Sequence, residues 1–476
     1  MKNNEILLDV IGEVDEKLLP ELSENKKKHK APKWAAIGGL CAAAAIPLAL
    51  LLPKAWNRSP FSTVGSKDMV LALASLPVIP AYPTNDDEEA YKAWRAAKRA
   101  LRDQPKGYSD GFDIFFENSA RTFLADANKE NIVYSPLSLF MALGMTAEIS
   151  GGNTQAQILD ALAQDDISSL RSHAKSIWEA NYNDDGVSKC VLATSLWTNN
   201  DFAYNMDTVN HVAENYYSSL FTGDPGNPEY SKLLQDWLNE QTGDLLTDYT
   251  ADINMDPAML ITLASTVNYE GKWATQFNKQ ATNPDTFHAA SGDETCDFMN
   301  AIQSTSYVRG DKFSSISLDL EENGCMRLIL PDEGFSPEDL IRDEAVLNYL
   351  SSAADSSQTQ NVLAEIHIPK FDVSSGIDLS EGLKEMGISD VFNADKADLS
   401  PLVGKDTAIS LSKAEQDSRV KIDEEGCKAA SLTVLELCGA AAPKDSVEFK
   451  LDRPFIFEIM SESGLPLFVG IVNTVA

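Results

Sequence analysis

The spacing of apolar positions changes several times along the chain. Near the N-terminus Ile6, Leu7, Val10, Ile11, Val14, Leu18 and Leu22 recur at helical spacing, with charges between them. That spacing predicts a short amphipathic helix. Trp34–Leu52 then runs without a single charge. As a helix it would reach roughly 28 Å, close to the hydrocarbon thickness of a bilayer. Over residues 53–107 the rhythm is lost. SLPVIPAYPTNDDEE (75–89) is proline-rich and predicts extended chain. AYKAWRAAKRALRD (90–103) predicts a short basic helix, with Tyr91, Trp94 and Leu101 placed to dock on the domain behind it.

From about Tyr108 the pattern is that of a globular domain. GFDIFFENSARTFLADA (111–127) and KLLQDWLNEQTGDLL (232–246) have the period of helices. NIVYSPLSLFMALGMTAEI (131–149) predicts a short strand, then a helix opened by Ser-Pro. SVEFKLD (446–452), FIFEIM (455–460) and PLFVGIV (466–472) predict strands. The mixture is α+β, in one domain over 108–476.

Charge adds a direction. The chain has 476 residues and a formal net charge of −33. Such acidity argues against nucleic-acid binding and against adsorption to an anionic membrane surface. Residues 1–33 are neutral overall, so the excess acid lies after them. Lys26, Lys27, Lys28, Lys30 and Lys33 precede the uncharged run, which places the N-terminus in the cytoplasm and the rest outside. A cleaved signal peptide and a buried core helix are the rival readings. The apolar run continues well past its alanines, and the segment before it is long for a signal peptide. Leu40 before Cys41 does not suit a lipoprotein. The expected organisation is a cytoplasmic segment 1–33, a transmembrane anchor 34–52, a stalk or linker 53–107 and an extracellular domain 108–476.

Enzyme signatures are missing. The six cysteines form no CxxC, and the five histidines form no HExxH. No phosphate-binding glycine motif and no GxSxG occurs. The expectation is no metal, no cofactor and no enzymatic activity.

A resemblance emerges at NIVYSPLSLFMALGMTAEISGGNTQAQILDAL (131–162), which is similar to a recurring pattern of the serpins. Further matches keep the family's order: ATSLW (193–197), LASTVNYEGKWATQF (263–277) and LILPDEG (328–334). IHIPKFDVSSGIDLSEGLKEMGISDVFNADKADLSPL (366–402) is the longest of them, and LSKAEQDSRVKIDEEG (411–426), LDRPFIFEI (451–459) and PLFVGIVN (466–473) close the domain. The resemblance implies three β-sheets, eight or nine helices and an exposed reactive loop between EEG and RPF. In inhibitory members a serine or cysteine protease attacks that loop, which then inserts into the main sheet and traps the acyl-enzyme.

By that resemblance the hinge comprises Glu424, Glu425, Gly426, Cys427, Lys428, Ala429, Ala430 and Ser431. Trp273 stands where the loop first enters the sheet. Ser135, Ser138, Ser265 and Gln416 match the polar cluster under the part of the sheet that opens. Ser265 replaces the family's usual Asn, and Gln416 its usual His. Cys427 replaces Thr or Ser, and Lys428 replaces Glu.

Insertion makes demands that residues 426–440 can be tested against. Between Gly426 and Ala442 there is no proline to interrupt a central strand. Cys427, Ala429, Ser431, Thr433 and Leu435 share one face and are uncharged, while Lys428 and Glu436 fall on the other. The competing reading is a helix, for which KAASLTVLEL has fair propensity. Counting from the hinge brackets the reactive bond at Ala440–Ala441, with Gly439–Ala440 and Ala441–Ala442 as alternatives. Small residues there suit elastase-like or subtilisin-like proteases.

The function expected is therefore a suicide-substrate inhibitor of serine proteases, monomeric and carried on a bacterial cell surface by one membrane helix. The alternative is a non-inhibitory serpin-fold protein that binds or senses at the same surface.

Overall fold

The computed structural model describes residues 69–475, apart from 84–86, 246, 252, 258, 322–323, 352–358, 405–408, 412–413 and 428–445. The segments 1–33 and 34–52 lie outside the described residues, as do Lys428–Ser431 and Ala440–Ala441. Among the described residues no helix is long and apolar enough to cross a membrane.

The main sheet has eight strands, numbered here in chain order: β1 Val70–Ala72, β2 Asn183–Asp184, β3 Lys189–Asn199, β4 Ser218–Gly223, β5 Ile261–Lys272, β6 Phe371–Asp378, β7 Glu415–Asp423 and β8 Gly426–Cys427. Their spatial order is β1-β4-β3-β5-β8-β7-β6, with β2 pairing to β3. A second, nine-stranded system runs Ser446–Lys450, Thr359–Pro369, Gly292–Arg309, Phe313–Leu320, Gly324–Pro331, Phe455–Met460, Pro466–Val472, Ile132–Tyr134, with Asn283–Ala289 paired to Gly292–Arg309. The 18-residue strand Gly292–Arg309 is long enough to run from one sheet into the next. The second and third sheets of the expected three are thus joined through it.

The helix Pro136–Ile149 is buried at every position except Ala142. A helix apolar on all sides needs neighbours on all sides, and this one contacts both sheets and the surrounding helices. Ser135 caps it by accepting from the Ser138 N–H, and Pro136 occupies its first turn. The helical segments exceed the eight or nine expected. The additions are short turns such as Thr247–Thr250 and Ser400–Val403, and the helix Glu88–Arg102.

That last helix matches the basic helix expected over 90–103, and its packing takes this stretch out of the linker. From residue 69 onward the stretch belongs to the folded body. β1 pairs antiparallel with the edge of β4. Asp87 caps the helix Glu88–Arg102 by accepting from the Glu89 and Ala90 N–H groups. Trp94 is buried and donates its indole N–H to Asp185 at 3.2 Å. Lys98 lies 3.8 Å from the same carboxylate, with both side chains buried. Tyr82 and Tyr91 pack their rings on Trp94. One large indole with a satisfied N–H outweighs the proline-rich sequence before it.

A second feature is hidden inside strands that look uniformly apolar. Arg327 and Glu458 face each other across paired strands, 3.2 Å apart and buried. Arg327 also donates to the Tyr349 carbonyl at 2.7 Å. The second Glu458 carboxylate oxygen has no hydrogen-bond partner. Burial pushes the Glu458 carboxyl up to about 8, against the opposing pull of Arg327. The folded state therefore holds this proton more tightly than the unfolded chain. Its contribution to stability falls as pH rises from the ordinary value of 4.5 towards 8. Glu458→Gln should flatten that part of the pH profile in urea unfolding. Arg327→Met alone should cost about 3–5 kcal/mol, because it strands the carboxylate, whereas Arg327→Met with Glu458→Leu should cost less than the single change.

Candidate functional site: the hinge and the strands beside it

The loop after β7 turns back at once. The Asp423 side chain accepts from the Glu425 N–H at 2.8 Å. The chain then re-enters the sheet as β8, a two-residue strand seated between β5 and β7. Gly426 pairs with Lys272 on one side and Asp423 on the other, and Cys427 pairs with Gly271 and Ile422. Gly426 has φ +142°, and a Cβ there would come within 2.3 Å of the Gly271 carbonyl oxygen. Only glycine fits this close approach.

Trp273 pins the turn. Its indole N–H donates to the Asp423 carbonyl at 2.9 Å, and its backbone N–H to the Glu425 carbonyl at 3.1 Å. The Phe277 N–H donates to the Glu424 carbonyl at 3.1 Å. Glu424 is buried, paired with Lys370 at 2.8 Å and accepting from the Thr282 hydroxyl at 2.8 Å. Glu425 pairs with Lys279 at the surface. Burial raises the Glu424 carboxyl, but Lys370 and Thr282 together bring it below its ordinary value.

Below β8 no backbone pairing joins β5 to β7 among the described residues. Instead two narrow cavities of about 10 and 20 Å³ lie between the strands. Ser135, Ser138, Ser265 and Gln416 line the lower one, and Val267, Tyr269, Val420 and Phe468 line the upper. In the lower cluster the Ser138 and Ser265 hydroxyls are 2.7 Å apart. Gln416 makes two bonds to the Ser135 backbone: its amide donates to the carbonyl at 3.0 Å and accepts from the N–H at 2.8 Å. The sheet strands are therefore tied to the buried helix below by side chains, not to each other by backbone. Among the described residues no group of three His, Cys, Asp or Glu side chains is placed to hold a metal ion.

The structure brings Glu424, Glu425, Gly426, Cys427 and Trp273 together at one end of this gap. Ser135, Ser138, Ser265 and Gln416 meet beneath its middle. Lys370, Thr282 and Lys279 escaped sequence reasoning. Lys370 sits inside a recognised motif, yet nothing local to it points to a carboxylate 54 positions further on.

This architecture, a main sheet whose two central strands are joined among the described residues only through a two-residue strand seated between them, defines a class of proteins. The chain belongs to the serpin family: the sequence pattern described as Serpin (serine protease inhibitor) matches residues 115–475. An alpha-1-antiproteinase of Mus saxicola is 26% identical, over 83% of this chain and 94% of its own. An uncharacterized serpin-like protein of Methanosarcina acetivorans is 26% identical, over 76% and 86%. Antithrombin-III of Bos taurus is 27% identical, over 76% and 79%. Among solved structures, the thermophilic serpin tengpin in its native state superposes with a TM-score of 0.69 at 25% identity, covering 85% of this chain and 99% of that one. Thyroxine-binding globulin in complex with thyroxine gives 0.66 at 19% identity, covering 78% and 100%.

The hinge carboxylate sets a pH limit. With its folded value depressed, the contribution of Glu424 is present above about 4.5 and is lost as pH falls below it. Acid should loosen the turn at 423–426, read as faster hydrogen exchange at the Phe277 and Trp273 amides. Glu424→Gln should remove the pH dependence, and Lys370→Met should speed exchange at neutral pH by about tenfold or more.

Proposed function

We propose that this serpin inhibits serine proteases as a suicide substrate, by inserting its reactive loop between β5 and β7. The observation that carries this reading is β8 itself. Gly426 and Cys427 are already paired on both sides, while the rest of that β5 edge has no backbone partner among the described residues.

Continuing the register of β8 gives the inserted strand a definite set of neighbours. Residues 427–437 fall opposite Gly271 to Ile261, so β5 can pair with all of them. Cys427, Ala429, Ser431, Thr433 and Leu435 then share the side on which Val267 and Tyr269 meet the core. Thr433 falls between Ser265 and Gln416, where a hydroxyl has partners on either side. Lys428 faces outward beside Glu270 of β5. The two departures from the family at the hinge thus fit: a small thiol in place of a hydroxyl, and a lysine with a carboxylate alongside. At about 1 kcal/mol net per backbone hydrogen bond, filling this edge contributes on the order of 10 kcal/mol.

The trapping depends on the order of events. The protease serine attacks the carbonyl carbon of Ala440, an ester forms, and the bond to Ala441 breaks to release its amine. The cut frees residues 427–440 to enter the sheet. Fourteen residues at about 3.3 Å each carry the acylated end on the order of 45 Å from the hinge. The tethered protease is pulled against the far end of the domain before water resolves the ester. Small side chains at 439–442 direct the loop to elastase-like or subtilisin-like enzymes. Supporting an anchored, extracellular setting are the uncharged run 34–52 and the five lysines before it.

Mixing the protein with an elastase-like protease should give a covalent complex that survives a denaturing gel. Thr433→Arg should place an unpaired charge on the inward face, turning the inhibitor into a substrate that is cut without a complex. Cleavage without a complex by the unaltered protein, across a broad panel of proteases, would instead mark a non-inhibitory binding protein. For the anchor, full-length chain should sediment with membranes and be released by detergent, and a chain lacking residues 1–60 should stay in the supernatant.

A further inference from the structure

The basic helix Glu88–Arg102 takes no part in the hinge or in the strands beside it. It stands ahead of the stretch that matches the family, which begins at residue 115. Between Glu89 and Asp110 six lysines and arginines face a single carboxylate, Asp103, in a chain whose net charge is −33. A run of one sign against the sign of the whole chain is a candidate contact face.

Packing fixes which way these cations point. Trp94 and Lys98 are buried against Asp185, so the helix cannot turn about its axis. Lys92, Arg95, Arg99 and Arg102 are left exposed at spacings of three, four and three, which puts them in one stripe. Lys106 is exposed just past its end. Two of the four are committed: Lys92 to Glu88 and Glu89 at 2.8 and 3.8 Å, and Arg102 to Glu462. Arg95 lies over the Tyr91 ring, and Arg99 has no ion pair among the described residues. Trp94 and the Asp87 cap hold the helix without either arginine.

We infer that this stripe is a contact face for anionic phospholipid headgroups, and that it turns one side of the domain towards the membrane. The inference rests on the anchored setting proposed above. Residues 53–68 link the uncharged run to Met69, and sixteen residues span at most about 55 Å. A domain held that close needs only a weak local attraction to adopt one orientation. At physiological salt a charge acts over about 8 Å. Headgroups therefore respond to the face nearest them, not to the net charge that opposes adsorption from free solution. Each lysine or arginine at such a surface shifts the balance about fivefold, so Arg95 and Arg99 together correspond to about 25-fold.

The test uses the full chain reconstituted in vesicles of phosphatidylglycerol or of phosphatidylcholine. Lysines are acetylated with a water-soluble reagent and read by mass spectrometry. Lys92 and Lys106 should react about fivefold or more slowly in phosphatidylglycerol. Lys129, exposed beyond the end of the helix Phe112–Leu124, should react at the same rate in both lipids. The difference should vanish in about 0.5 M salt. Arg95→Glu with Arg99→Glu should abolish it too, with the urea-unfolding midpoint unchanged. Equal rates for Lys92 and Lys106 in the two lipids, or equal slowing of Lys129, overturn the contact face. If the chain still floats with the vesicles, the anchor stands. A chain that floats with neither lipid overturns anchor and orientation together. Slowing by soluble dextran sulfate, with none by phosphatidylglycerol, overturns the membrane contact and assigns the stripe to a polyanion.

Discussion

The hydrogen-bonding capacity of the β5 edge is the constraint on which the rest of this molecule depends. A strand in the middle of a sheet has donors and acceptors on both edges, and burying them unpaired is unfavourable. Here β5 pairs with β3 along most of its length, but towards β7 its backbone partners among the described residues are only Gly426 and Cys427. Beside that edge, side chains rather than backbone make the contacts: Ser265 of β5 and Gln416 of β7 both bond to the start of the buried helix Pro136–Ile149, and Arg419 of β7 holds the Leu245 carbonyl.

Two sets of contacts fix the strands around this edge. At the top, Trp273 and the Glu424–Lys370 pair hold the reversal at 423–426, so the chain re-enters the sheet at one place and in one register. In the middle, the Ser138–Ser265 and Gln416–Ser135 bonds join β5 and β7 to a common support. These are few and polar, and each is exchangeable for another hydrogen bond. A core of interlocked apolar side chains would have been harder to part. Ser265 and Gln416, standing where the family resemblance has Asn and His, make these bonds with different atoms.

Other buried polar contacts lie away from the hinge. The Arg327–Glu458 pair lies in the other strand system, and the Trp94–Asp185–Lys98 contact fastens a helix ahead of the family's core. Both bury charge next to aromatic rings, Tyr349 in one case and Trp94 in the other.

Local pattern was enough to read the helix opened by Ser135-Pro136, the final strands and the glycine at the hinge, because period, capping and φ are properties of neighbours in the chain. The ordered motifs between 131 and 473 identified the family for the same reason. Local pattern gave the helix over 90–103 and the docking of Trp94, but assigned 69–107 to a linker, because prolines indicate extended chain and cannot show that Trp94 has a buried carboxylate waiting for it. It was silent on Glu458, a single charge in an apolar strand, and on Lys370 and Arg419. Their partners stand far along the chain: the pairing of β6, β7 and β8 sets Lys370 and Arg419 opposite theirs, and the second strand system sets Arg327 opposite Glu458. That residues 427–437 can become a strand with one uncharged face is written in their own alternation. Where such a strand would start, with Gly426 and Cys427 seated between β5 and β7, was decided by the folded chain, because a relation between strands distant in sequence has no local signature.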